Sequence, residues 1–180
     1  DKGWLELEEA LALDPSDTLA RFGFGLIHLC RTDYDEALAV FKTVPREANP
    51  SMVDGATATA LFHLGRVEEA EELVEDHLSL YSVDEGSNVT SVKAMLLANA
   101  GADEAAEETS QLAVKVGMGF KHFHHATYNL ASAYVLLNKP AQAIKWLQFT
   151  ADDGFPCYPL FESDETLLSL REDDRFITLM

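Results

Sequence analysis

Residues 19–41 read LARFGFGLIHLCRTDYDEALAVF. Apolar residues recur at helical spacing up to Leu29, polar Arg31, Thr32 and Asp33 interrupt them, and a second apolar stripe opens with the acids Asp35 and Glu36. This pattern predicts two helices joined by a short turn, crossing at the small residues Gly25 and Ala37. The same pair recurs along the chain. Small residues stand at Gly25, Ala58, Ala94 and Ala131, separated by 33, 36 and 37 positions, and Ala37, Ala70, Ala106 and Ala143 each follow 12 positions later. Each turn is marked locally: CRTDYDEA, LGRVEEA, AGADEAA and LNKPAQA place Gly, Asp, Asn or Pro just before a helix that opens with acids or a first-turn proline.

With that register the chain resembles a tetratricopeptide repeat (TPR) array, whose 34-residue unit follows W-x2-L-G-x2-Y, then A-x3-F, then P. In the first full copy Phe24 and Gly25 stand at the Leu-Gly pair, His28 at the tyrosine, Ala37 at the alanine and Phe41 at the aromatic. In the last, TYNLASAYVLLNKPAQAIKWL, those roles fall to Leu130 and Ala131, Tyr134, Ala143 and Leu147. Arg21, Asp54, Thr90 and Thr127 replace the tryptophan, and Ser110 replaces the second aromatic. The resemblance implies an all-α fold, a right-handed α-solenoid of helix-turn-helix repeats over residues 18–44, 51–80, 88–116 and 122–153. Residues 3–16 match the second half of a unit, with Ala10 and Pro15 at its closing alanine and proline. An orphan helix there implies a piece of a longer array, with at least one more helix upstream; the competing reading has Trp4, Leu5 and Leu7 packing on the first hairpin as a lone cap. Residues 155–180 carry two prolines and short apolar faces at Leu167, Leu168, Leu170, Phe176, Ile177 and Leu179, the pattern of a short C-terminal helical cap. This segment resembles those that close TPR arrays in many bacterial proteins, including ones attached to signalling catalytic domains.

Composition limits the function classes. The chain has 180 residues, 47% of them hydrophobic, enough for a sizeable core. No run approaches 18 uninterrupted apolar residues, so no membrane span is expected. Thirteen basic against 31 acidic residues give a formal charge of −18, which repels nucleic acid and anionic membranes and attracts basic partners. Cys30 and Cys157 lie far apart without CxxC spacing and read as reduced structural thiols, which points to the cytoplasm.

The resemblance assigns the concave groove to the first helix of each hairpin. Those four helices hold a single acid, Asp54, while the second helices carry most mid-chain acids, as in RVEEAEELVEDHL. The groove would then present Leu19, Phe22 and Leu26 from the first hairpin, and Gly55, Thr59 and Phe62 from the second. The third would supply Ser91, Met95 and Ala98, and the fourth His125, Tyr128, Ser132 and Val135. Such an uncharged channel suits an amphipathic helix or extended peptide with hydrophobic anchors; the alternative is that these side chains pack on each other or under the closing segment. A clamp for a C-terminal carboxylate is excluded, because Phe22, Leu26, Gly55 and Thr59 stand where Lys, Arg and Asn are needed.

FKHFHH, residues 120–125, draws attention to metal chemistry. On a regular helix His122 and His125 share a face and His124 points away, with no nearby Cys or acid, so no metal site is expected. His28, His63 and His77 read as ordinary helix positions. VDEGSN, residues 83–88, reads as a flexible acidic loop without EF-hand spacing. No Gly-rich phosphate loop, GxSxG or HExxH occurs, so neither catalysis nor a cofactor is expected. The resulting expectation is a protein-interaction scaffold binding a peptide or protein segment. The alternative is a regulatory TPR domain of a larger signalling protein, for example one with a kinase or cyclase domain, and exposed repeat ends add the prospect of a homodimer.

Overall fold

Four residues in the left-handed backbone region set the rhythm of the chain: Thr32 (φ 62°), Gly65 (φ 70°), Gly101 (φ 74°) and Asn138 (φ 55°). They repeat with the spacing of the small-residue series. At each, the next N–H reaches back across the last helical turn, Asp33 to His28, Arg66 to Leu61, Ala102 to Leu97 and Lys139 to Tyr134, at 2.8–3.0 Å. This is the Schellman ending, which satisfies orphan carbonyls and turns the chain sharply.

The computed structural model describes residues 2–155 and 157–180; Asp1 and Pro156, one of the two prolines noted in the closing segment, lie outside them. Helix α1 (Lys2–Leu13) leads into four hairpins: α2 (Thr18–Cys30) with α3 (Tyr34–Phe41), α4 (Pro50–His63) with α5 (Val67–Leu80), α6 (Asn88–Asn99) with α7 (Asp103–Gly117), and α8 (Phe123–Leu136) with α9 (Pro140–Asp152). The short helices α10 (Tyr158–Ser163) and α11 (Asp174–Leu179) flank a 3-10 turn, Glu165–Leu170. The described residues contain no strand, and none of their helices is long and apolar enough to cross a membrane. Local chemistry starts the helices: the Asp17 carboxylate accepts the N–H groups of Leu19 and Ala20, Asn49 accepts that of Met52, and Pro50 and Pro140 sit in first turns.

The small residues face inward. Ala37, Ala58, Ala70, Ala94, Ala106, Ala131 and Ala143 are fully buried, and buried Gly25 lies against the Phe41 ring. The result is an all-α array of helix-turn-helix repeats closed by a short helical cap, as the residue pattern predicts.

Helices α4, α6 and α8 form the inner layer and pack side by side. Gly55 permits this contact: a Cβ there would come within 2.8 Å of the Asn88 Cβ and 3.1 Å of its backbone. Asn129 ties the three helices together, donating from Nδ2 to Ser91 Oγ at 3.2 Å and lying 3.5 Å from Thr59 Oγ1. Between α2 and α4 the bulkier Phe22, Leu26 and Met52 intervene, and these helices barely touch.

Two segments depart from the sequence expectation. VDEGSN is a built turn rather than a loose loop, because the buried Asp84 carboxylate accepts the Val89 and Thr90 N–H groups and the Thr90 hydroxyl, at 3.3, 2.6 and 2.7 Å. His77 is fully buried: its Nδ1 lies 2.7 Å from Asp54 Oδ2 and its Nε2 lies 3.5 Å from Ser51 Oγ. That order of atoms matches a serine-histidine-carboxylate relay. Here it is a structural clasp, since Arg46 Nε also holds Asp54 at 2.7 Å and Ser51 Oγ accepts the Glu85 N–H at 2.9 Å.

Candidate functional site: the cleft beside the first repeat

The closing segment folds back across the inner face and fills the half of the groove nearest the C-terminal ends of the inner helices. Leu160, Phe161, Leu167 and Leu170 are all but inaccessible, packed with Tyr128, Ala131, Ala143 and Leu147. Phe161 stacks on Tyr128, with ring centroids 5.7 Å apart and planes within 10°. Buried Asp164 keys the segment in place. Its Oδ2 accepts the Tyr128 hydroxyl, its Oδ1 lies 3.7 Å from His63 Nδ1, and Tyr34 stacks on that imidazole with centroids 4.6 Å apart. Burial, and then the neighbouring Asp164 charge, push the Tyr128 phenol well above its usual range. Burial holds His63 below the ordinary imidazole value although Asp164 opposes it. Cys157 Sγ lies 3.9 Å from the Cys30 carbonyl, so the two thiols meet although 127 positions separate them.

What remains open is a cleft of about 310 Å³ at the opposite, N-terminal ends of α2, α4 and α8. Leu19, Phe22, Leu26, Met52 and Val53 line it, with Thr18, Asn49, His122 and His125 at its polar edge, and among the described residues no acid or base other than these histidines contributes. It narrows inward to a void of about 30 Å³ between Phe22, Gly55, Tyr128 and Phe155.

The groove residues named from sequence therefore divide. Leu19 is 77% exposed and Leu26 and His125 are half-buried at the cleft. Phe22, Thr59, Phe62 and Tyr128 are nearly sealed, and Ser91, Met95 and Ser132 are wholly interior. A channel open along all four hairpins is not what forms, because the closing segment occupies half of it and the small polar residues bond between and along the inner helices. Thr59 Oγ1 donates to the Gly55 carbonyl and Ser132 Oγ to that of Tyr128. Sequence reasoning missed Asp164, Asn129 and Phe155, whose partners lie far along the chain.

The histidine cluster also differs from the regular-helix expectation. His122 has non-helical dihedrals (φ −118°, ψ 31°) and precedes the first residue of α8. Its ring consequently swings to the same side as the other two, with centroids 5.5 Å from His124 and 6.3 Å from His125, while His124 and His125 are 4.6 Å apart. Asp153, at the end of α9, meets His124 Nδ1 through its carbonyl at 3.2 Å and its carboxylate at 3.5 Å. Phe155 lies flat on His124 at 5.6 Å. Burial, then the adjacent rings, push His125 down to about 3, and burial likewise lowers His124.

Comparison with known proteins bears on this architecture. Residues 6–52, spanning α1 to the start of α4, match the family model described as Tetratricopeptide repeat. That stretch reads as tetratricopeptide repeat. Among solved structures the chain is similar to YrrB, described as a TPR protein with an unusual peptide-binding site, at 20% identity and a TM-score of 0.46, covering 89% of this chain and 80% of that one. No curated protein matches it. Helical-repeat proteins of this kind are generally non-catalytic scaffolds for protein-protein interaction.

Proposed function

We propose that the chain is a TPR scaffold that captures a short segment of a protein partner by seating an apolar side chain in the cleft between α2, α4 and the start of α8. The observation that carries this reading is Leu19, 77% exposed beside an uncharged cleft of about 310 Å³. A large apolar side chain held in water at the lip of an apolar concavity gains by being covered, and each buried anchor contributes about 1.5–3 kcal/mol before ordering costs. The net charge of −18 favours segments with basic residues flanking the anchor and repels nucleic acid and anionic lipid. The reading assigns recognition to Leu19, Leu26 and His125, and gives Phe22 and Met52 the role of the cleft floor.

The alternative of a regulatory domain whose groove is gated by the closing segment fits less well. Leu160, Phe161 and Leu167 have no exposed surface, so displacing the segment would expose three large apolar side chains, a cost that weighs against the closing segment, though not a catalytic neighbour, as the gate.

Selection of binders from a displayed peptide library, followed by titration against Leu19→Glu, tests the proposal. Leu19 is exposed and makes no core contact, so the variant keeps its fold by circular dichroism. Loss of one anchor weakens selected peptides by about tenfold or more. Binders indifferent to both Leu19→Glu and Met52→Glu would remove the cleft as the site.

A further inference from the structure

Peptide capture gives a role to His125 but none to the clustering of three histidines around the start of α8. One ring nitrogen from each of His122, His124 and His125 falls within 4.8 Å of the others. Tetrahedral coordination at about 2.0–2.1 Å places ligand nitrogens roughly 3.3 Å apart, so the rings stand close to a ligating arrangement. His122 is the outlying ring, with centroids 5.5 and 6.3 Å from the other two, and as an exposed side chain it can turn inward to close the gap. His124 is oriented from behind: with Nδ1 directed at Asp153, its Nε2 is the atom left to face the cluster. A carboxylate or carbonyl behind a ligating imidazole fixes its tautomer and raises its basicity. The positive end of α8 opposes a cation here. It is countered because the same contact brings up the negative end of α9, where the capping residue Asp153 presents its backbone carbonyl, and the side-chain carboxylate adds to it.

We propose that His122, His124 and His125 form a binding site for one late first-row divalent ion of the Zn²⁺, Ni²⁺ or Cu²⁺ class. Three imidazoles without thiolate or multiple carboxylates select these ions over Ca²⁺ or Mg²⁺, which demand oxygen ligands. His122 and His125 also line the cleft, so the fourth coordination position faces the space in which a partner side chain would sit. The site stands whether or not the cleft holds a peptide.

The probe is Co²⁺, titrated into chelator-treated, metal-free protein and followed by its visible d–d absorption, then displaced by Zn²⁺. One-to-one saturation with tetrahedral-type bands is expected, unaffected by excess Ca²⁺ or Mg²⁺. His122→Ala, a change at an exposed position, abolishes the bands, and His125→Gln does the same with helical content unchanged. Asp153→Asn retains binding but weakens it about 10- to 100-fold through the altered support of His124. Absence of saturable Co²⁺ and Zn²⁺ binding overturns the proposal. Binding that persists undiminished in His122→Ala also overturns it, because it locates the ion in the acidic outer coat instead.

Discussion

Gly25 and Gly23 lie two residues apart in α2, yet the same substitution has opposite consequences at the two positions. A Cβ on Gly25 would stand 2.5 Å from Phe41 Cδ1 and closer still to Cε1, distances that real side chains do not adopt. Phe41 cannot step aside: it is 1% exposed and packs against Phe22, with centroids 5.5 Å apart. Overpacking of this kind costs up to about 3 kcal/mol, from which the better helix propensity of alanine recovers about 1 kcal/mol. Gly25→Ala therefore loses about 2 kcal/mol, which at this chain length lowers the melting temperature by about 4–8 °C. A Cβ on Gly23 meets the Leu7 methyl carbons at 3.1 and 3.2 Å. Those are the ends of a flexible side chain on α1, a helix with no fully buried residue, and they yield easily. Gly23→Ala keeps most of the propensity gain and is more stable by about 0.5–1 kcal/mol. Urea titration and calorimetry of both variants, with Phe41→Leu added to Gly25→Ala to restore space, measure the contrast. A Gly25→Ala protein as stable as the parent would refute the claim that the hairpins close through matched small residues.

Thr32 holds a β-branched side chain at φ 62°, where its repeats place glycine or asparagine, so Thr32→Gly stabilises the first hairpin by about 1 kcal/mol, read as a raised urea midpoint. Phe161→Ala empties a fully buried position against Tyr128 and costs about 3–5 kcal/mol; a loss under 1 kcal/mol by urea titration would show that the closing segment detaches readily. His63 is held neutral below its ordinary value of 6.5, facing Asp164 and stacked on Tyr34. Its contribution is therefore complete above that pH and declines as pH falls below it, because the unfolded chain then binds the proton first, with a slope of at most about 1.4 kcal/mol per pH unit. Comparing unfolding midpoints at neutral and mildly acidic pH, the difference shrinks in His63→Gln; an unchanged difference contradicts the assignment.

The hairpins were legible because their signals act over a few residues. Asp17, Asn49 and Pro140 start helices through groups one turn away, Gly65, Gly101 and Asn138 end them through their own dihedrals, and helical spacing places Ala58 or Ala94 on a buried face wherever the helix docks. The groove was only partly legible. Its residues carry the same apolar and small polar character whether they meet a peptide or a neighbouring helix, so nothing in Met95 or Ser132 announces that each is interior. The histidine cluster was only partly legible for a local reason: His124 and His125 lie within regular α8, and the non-helical dihedrals at His122 bring its ring to 5.5 Å from His124.

From the order of residues alone follow the all-α class and the repeat register, since both depend on propensity, capping and periodicity within one hairpin, and the concentration of acids in the second helices, which is composition. The tertiary structure decided how much of the groove stays open and where. That outcome turns on side-chain volumes summed across α2 and α4, on the Gly55 approach to α6, and on Asp164 returning from the far end of the chain to meet Tyr128 and His63. Such contacts join residues dozens of positions apart, and their energy depends on shape and distance, which no periodic pattern encodes.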